Sequence, residues 1–156
     1  MNKLQAELKK RQPFAHVEEE AVLNLARTSD QVQHRFEQLF RAHGLTGPQY
    51  NILRILRGEG KPLPILEIAS RMITVVPATT GIIDRLERAE LVVRRRCEKD
   101  RRVVYVELTA AGASRLSEMD APLEALHRSV MSGLSESEQR QLIGLLERIR
   151  ETLPTN

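Results

Sequence analysis

Apolar residues recur along this chain first at helical and then at strand spacing. From about Val17 to His43, the positions Val22, Leu25, Ser29, Val32, Phe36, Leu39 and Phe40 fall at steps of three and four, one stripe of a long helix. Gly44 stands where a left-handed C-terminal cap belongs. Thr46-Gly47-Pro48-Gln49 is a capping box, in which Thr and Gln satisfy each other's backbone donors. It predicts a second helix with Ile52, Leu53 and Leu56 inward, ended by Gly58 and Gly60. Pro62-Leu63-Pro64 predicts a short extended piece, because each proline disfavours the helical state in the residue before it. Ile65, Ile68, Ala69 and Met72 outline a short third helix, and Ile73 to Val76 a tight link. Pro77 fits the first position of a fourth helix, where its missing N–H costs nothing. In that helix Thr79, Ile82 or Ile83, and Leu86 mark the inner face. Pro77, Ala78, Thr80, Gly81, Asp84, Arg85 and Arg88 are left pointing out.

The period then shortens to two. Leu91 to Cys97 and Val103 to Leu108 read as strands joined by the charged turn Glu98-Lys99-Asp100-Arg101, a two-stranded hairpin. Thr109 is placed to cap a fifth helix reaching about Ser132, striped by Leu116, Met119, Leu123, Leu126 and Val130, with Pro122 expected to kink or break it. Ser135-Glu136-Ser137-Glu138 is a second capping box. It opens a sixth helix whose apolar side is Leu142, Leu145, Leu146, Ile149 and Leu153. The expected fold is mainly α with a small β-hairpin wing: a winged helix-turn-helix plus a helical dimerisation region. Residues 1–44 form an N-terminal arm and dimerisation helix, 45–109 a DNA-binding lobe, and 110–156 C-terminal dimerisation helices, all in one intertwined domain.

Composition narrows this further. The chain has 156 residues, 41% of them apolar, which excludes a disordered or collagen-like protein. Its N-terminus is polar and no run approaches the length of a membrane span, so the expected location is the cytoplasm, with no membrane partner. A lone cysteine, Cys97, excludes an internal disulfide framework. Aromatics are few, so base stacking on an aromatic sheet is not expected. Net charge is only +3, yet residues 85–102 hold eight basic side chains against four acidic ones. A basic block on a near-neutral body points to an anionic partner met by one element; a solvated charged face is the plainer reading. In a winged helix-turn-helix the second helix of the pair enters the major groove, with a basic wing beside it. The outer face of helix four is small at its start, which lets the backbone approach bases, and then carries Arg85 and Arg88 toward phosphate.

The segment Leu63-Pro64-Ile65-Leu66-Glu67-Ile68-Ala69-Ser70-Arg71-Met72, with Thr80-Gly81-Ile82-Ile83-Asp84-Arg85-Leu86-Glu87, resembles the helix pair of the MarR family of transcriptional regulators. Asp100-Arg101-Arg102 followed by Leu108-Thr109-Ala110-Ala111-Gly112 is similar to that family's wing signature. The resemblance implies a homodimer that regulates transcription, usually as a repressor, on double-stranded DNA with a palindromic operator. It also implies that Asp100 orients Arg102 into the minor groove and that Arg94 matches a recurrent arginine at the start of the wing. Pro77, Ala78, Thr80, Gly81, Arg85, Arg94, Asp100, Arg101 and Arg102 are thus the candidate DNA-binding residues. A small aromatic or phenolic effector is implied as well. Phe36, Phe40, Tyr50 and Arg54 are the candidates for its cleft, although core packing accounts for the aromatics equally well. Two positions depart from the family pattern. Glu90 replaces the usual glycine after the recognition helix, and Pro64 removes a side-chain cap from helix three.

Other chemistry has little support. Cys97 lies among Arg95, Arg96 and Lys99, which favour a thiolate, but no activating histidine is near it in sequence. His16, His34, His43 and His127 form no close-spaced metal-ligand motif, so neither metal nor cofactor is expected. No phosphate-binding glycine loop and no nucleophile–base set is present, so no enzyme is expected. The alternative function is a winged-helix protein-interaction module without DNA binding.

Overall fold

The computed structural model describes residues 3–74, 77–100 and 102–154. It divides into two compact units, Met1–Leu116 and Ser117–Asn156. The first contains α1 (Lys3–Glu7), α2 (Val17–Ala42), α3 (Gly47–Glu59), β1 (Leu63–Pro64), α4 (Ile65–Ser70), α5 (Thr79–Arg88), β2 (Val92–Arg96), β3 (Val104–Leu108) and the start of α6 (Ala110–Met131). The second contains the rest of α6 and α7 (Glu136–Glu151). The unit boundary therefore falls inside α6.

Local signals account for most element ends. The capping boxes of Thr46 with Gln49 and of Ser135 with Glu138 are both formed. Gly44 and Gly60 take the left-handed conformation, at φ 72° and 70°. The α3 helix thus continues through Gly58 and stops at Gly60. At Thr109 the hydroxyl accepts the Gly112 N–H at 3.0 Å and donates to the Glu90 carbonyl at 2.7 Å, so it caps α6 and ties it to the end of the recognition helix. Glu90 itself sits at φ 60°, the conformation its missing glycine would have adopted freely. Pro64 precedes α4 without a side-chain cap, as its chemistry requires.

Three features differ from the sequence reading. The hairpin gains a third strand: Leu63 and Pro64 pair with Val106 and Tyr105, giving the order β1-β3-β2, all antiparallel. Pro64 is tolerated there because β1 is an edge strand. Pro77 is not the first residue of α5. That helix opens at the buried Thr79, with Ala78 at its N-cap, and Pro77 lies in the preceding turn. Pro122 does not break α6, which runs unbroken from Ala110 to Met131. The lost backbone hydrogen bond and ring clash cost about 3 kcal/mol, and burial of Met119 and Leu123 on either side offsets that loss. The link residues Val75 and Val76 lie outside the described residues.

The first unit is organised around α3. Ile52, Leu53 and Leu56 of α3, Ile68 of α4, Ile83 and Leu86 of α5 and Val106 of β3 are fully buried. The α3 helix packs against α2, α4, α5 and β3, and α5 also packs against β2. Each such aliphatic side chain contributes on the order of 1.5–3 kcal/mol by leaving water. The result is a helix pair, α4 and α5, resting on a small sheet.

Candidate nucleic-acid interface

Burial of Thr79, Ile83 and Leu86 fixes the rotation of α5 about its axis. The opposite face, with Ala78, Thr80, Arg85 and Arg88, is left exposed, and Pro77 is exposed just ahead of it. A Cβ at Gly81 would meet nothing within 4 Å. Glycine here costs a helix roughly 0.5–1 kcal/mol relative to alanine, so this face carries an open notch without packing benefit inside the chain. Arg85 and Arg88 form no ion pair among the described residues.

The wing closes through backbone bonds. Cys97 N–H donates to the Val103 carbonyl at 2.9 Å, and Val103 N–H to the Asp100 carbonyl at 3.0 Å. One Asp100 carboxylate oxygen accepts both the backbone N–H of Arg102, at 3.0 Å, and its Nε, at 3.3 Å. The Arg102 side chain is still 92% exposed. An arginine held at its root with a free guanidinium end is suited to entering a groove. Arg101 lies outside the described residues. Arg95 projects from the outer face of β2, where Glu107 pairs with it at 3.2 Å.

Arg94 is placed differently from the other candidates. Its side chain is only 22% exposed. Nη1 binds the Asp84 carboxylate and Glu87 Oε2, the latter at 3.2 Å, and Nη2 donates to the Thr80 carbonyl at 3.0 Å. Both terminal nitrogens are occupied by α5, so the guanidinium does not face outward as a DNA contact would. Asp84 is still 41% exposed, but its carboxylate is engaged by Arg94. No spacing rule flagged this cluster. Its trace in the sequence is a pair of carboxylates at i and i+3 on α5, followed by an arginine on the inner side of a strand.

A second ionic set ties α3 to α4. Arg71 reaches Glu59 and Glu67, each at 2.7 Å, linking the end of α3 to α4. Hydrogen bonds from Arg71, and then from Lys61, hold the Glu59 carboxyl below the usual carboxylate range.

The effector candidates are brought together in part. Phe40 stacks on Tyr50 with 4.5 Å between ring centroids and 17° between planes, and Phe36 lies 6.2 Å from Phe40. Arg54 donates through Nη2 to Asn51 Oδ1 at 2.8 Å, while its Nε is buried without a hydrogen-bond partner. Cys97 is a free, half-buried thiol. Among the described residues no group of His, Cys, Asp or Glu is arranged to hold a metal, and no helix is long and apolar enough to cross a membrane.

A helix pair with a small, polar outer face beside a basic hairpin wing defines a winged helix-turn-helix DNA-binding protein. Comparison with known proteins agrees. The MarR family model matches residues 45–104. An HTH-type transcriptional regulator of Bacillus subtilis, YkoM, is 35% identical over 140 residues, covering 86% of this chain and 90% of that protein. The homoprotocatechuate degradative operon repressor of Escherichia coli is 31% identical over 112 residues, 72% of this chain and 75% of that protein. The crystal structure of a MarR transcription factor from Planctomyces limnophilus is 37% identical with a TM-score of 0.68, covering 86% of this chain and 98% of that one. The chain belongs to the MarR family of transcriptional regulators, a family of DNA-binding proteins and not of enzymes.

Proposed function

We propose that the protein is a homodimeric cytoplasmic repressor. It grips a palindromic operator with α5 in the major groove and the wing in the minor groove, and a small aromatic or phenolic acid releases it. The observation that carries this is the contrast between an arginine committed inside the lobe and arginines presented outward. Arg94 is tied down inside the lobe, whereas Arg85 and Arg102 are presented outward on the two elements that would meet DNA. Ala78, Thr80 and Gly81 lie against base edges, with Pro77 just before them, and Arg85 meets phosphate. Arg101 and Arg102 reach the minor groove, the latter oriented by Asp100.

Dimerisation rests on the bare apolar side of α7. Segments 1–44 and 110–156 supply the interface around the lobe at 45–109. For the effector, the unpartnered Nε of Arg54, one turn of α3 after Tyr50 of the Phe40–Tyr50 stack, is a fitting anchor for an aromatic carboxylate. The relative named for a homoprotocatechuate-degradative operon supports that chemical class.

The test begins with selection of bound sites from random duplex. Roughly palindromic sites are expected, with half-sites one helical turn, about 34–36 Å, apart. On the selected operator, Arg85→Ala should reduce the slope of log affinity against log salt by about 1. Arg102→Ala should weaken binding most where the flank is A·T-rich. If Arg102→Ala binds every duplex like the parent, or only single asymmetric half-sites are selected, the proposal fails.

A further inference from the structure

The register of β2 places one arginine on the wrong face for a DNA contact. Arg94 pairs with Val106, which is fully buried, so the two side chains share the inner face of the sheet. Arg95, one residue on, faces out. The inner face of β2 packs against α5, and the groups that meet Arg94 there are all acceptors. They are the Asp84 carboxylate, the Thr80 carbonyl at 3.0 Å and Glu87 Oε2 at 3.2 Å. The other oxygen of Glu87 accepts the backbone N–H of Arg94 at 3.0 Å. One carboxylate therefore holds both the main chain and the side chain of β2, and the guanidinium spans α5 from Thr80 to Glu87, two turns of helix. Charge-assisted bonds in a partly shielded site are stronger and better oriented than neutral ones.

We infer that Arg94 is a positioning residue that sets the distance between what α5 reads and what the wing reaches, and that it is not itself a DNA contact. The inference rests on the reading above, in which α5 lies in the major groove and Arg102 in the neighbouring minor groove. A duplex presents those two sites at a fixed offset. Inserting one base pair between them moves the flank about 3.4 Å along the axis and about 35° around it. A lobe with a rigid helix–wing angle must lose one contact or the other. A lobe whose wing swings freely adapts. The Asp84–Arg94–Glu87 clamp thus acts as a ruler, and spacing specificity is what it confers.

The experiment measures affinity on the selected operator and on a duplex with one base pair inserted between each half-site core and its flank, across several salt concentrations. The parent should lose about tenfold or more on the spaced duplex, the scale of a lost base-pair contact. Arg94→Ala should bind the normal operator more weakly, with the two duplexes within about threefold of each other. Its salt slope should match the parent's, whereas a lost phosphate contact would lower the slope by about 1. Glu87→Gln and Asp84→Asn should move the spacing ratio the same way, and they carry the test if Arg94→Ala does not fold. Arg95→Ala, on the outer face, should keep the parent's ratio. If the clamp variants keep the parent's spacing ratio, or Arg94→Ala lowers the salt slope by about 1, the inference is wrong. If the parent itself binds no duplex, it is the DNA-binding reading that has failed.

Discussion

Helices α5 and α7 are both amphipathic, and α7 has the better start signal. It opens on a complete capping box, whereas α5 has no side-chain cap at all. Yet α5 buries Thr79, Ile83 and Leu86 among its ten residues, and α7 buries none of its sixteen. Ile143, Leu145 and Ile149 are exposed by 56%, 53% and 45%. A shallow cleft of about 440 Å³ lies on that helix, lined by Leu145, Arg148, Ile149, Glu151 and Thr152. A 16-residue helix is marginal in water alone, so most of its stability must come from covering its apolar side. The comparison teaches that α5 was shaped to be completed within the chain and α7 by something outside it. In the homodimer proposed above, the self-complementary side of a second copy would be that cover.

The largest effect should follow from charging the bare side. Leu145→Glu with Ile149→Glu would place two unpaired carboxylates in a dry interface, at several kcal/mol for each buried charge. Light scattering at micromolar concentration should report the monomer mass, with lobe secondary structure retained by circular dichroism. A dimer that survives this pair places the interface elsewhere.

On the covered side the losses should not depend on protein concentration. Leu86→Ala empties a fully buried site and should cost about 2–5 kcal/mol in denaturant unfolding. Gly112→Ala should cost about 1–3 kcal/mol by overpacking, because the new Cβ would lie 2.2 Å from the Leu91 carbonyl oxygen and 2.6 Å from a Leu108 methyl. Glu90→Gly should do the opposite. Glu90 holds φ 60° against its side chain, so glycine should raise stability by about 1 kcal/mol. A loss there would mean that the Glu90 side chain has a use the backbone conceals.

These sites also mark what sequence reasoning can reach. Glu90 is legible only through the family resemblance, as a departure from its usual glycine, and Gly112 only as part of the wing signature; the close approach that requires glycine there is a tertiary contact. Both capping boxes were legible because their bonds span three residues. The inner face of α5 was legible because burial repeats every three to four residues. The α1 helix was not, since five residues are too short to display a period, although Leu4 and Gln5 are buried. The pairing of β1 with β3 was missed because a two-residue strand has no alternation, and its partner lies some forty residues away. In sequence Arg94 is one member of a basic run and a match to the recurrent wing arginine, which points to DNA. Its role depends on which face of β2 it occupies and on two carboxylates ten and seven residues earlier, a tertiary relation that no local spacing encodes. The start of α5 was misplaced by two residues because proline suits a turn as well as a first helical position.

The smallest expected effect compares the two caps directly. Thr46→Ala and Ser135→Ala each remove a side-chain acceptor from a helix start, worth about 1 kcal/mol. The first should lower stability equally at all protein concentrations, and the second should mainly weaken the dimer. Their responses to acid should differ too. The Thr46 box uses Gln49, which does not titrate. In the other box the Glu138 carboxylate accepts the Ser135 hydroxyl at 2.7 Å and its backbone N–H at 2.8 Å. Those bonds hold the Glu138 carboxyl below its ordinary value of 4.5. A carboxyl depressed in the folded state stabilises fully above its unfolded value, and that contribution fades as pH falls through the lower folded value. In the proposed dimer, affinity should therefore decline below about pH 4.5 partly through this group. Glu138→Gln keeps an acceptor but cannot titrate, so the difference between parent and variant isolates the cap. Light scattering across pH 3 to 6 (about the carboxylate range) should show a shallower acid decline in Glu138→Gln than in the parent. Parallel declines would mean that the cap of α7 does not contribute to the dimer, and that the stability of this helix comes entirely from its covered side.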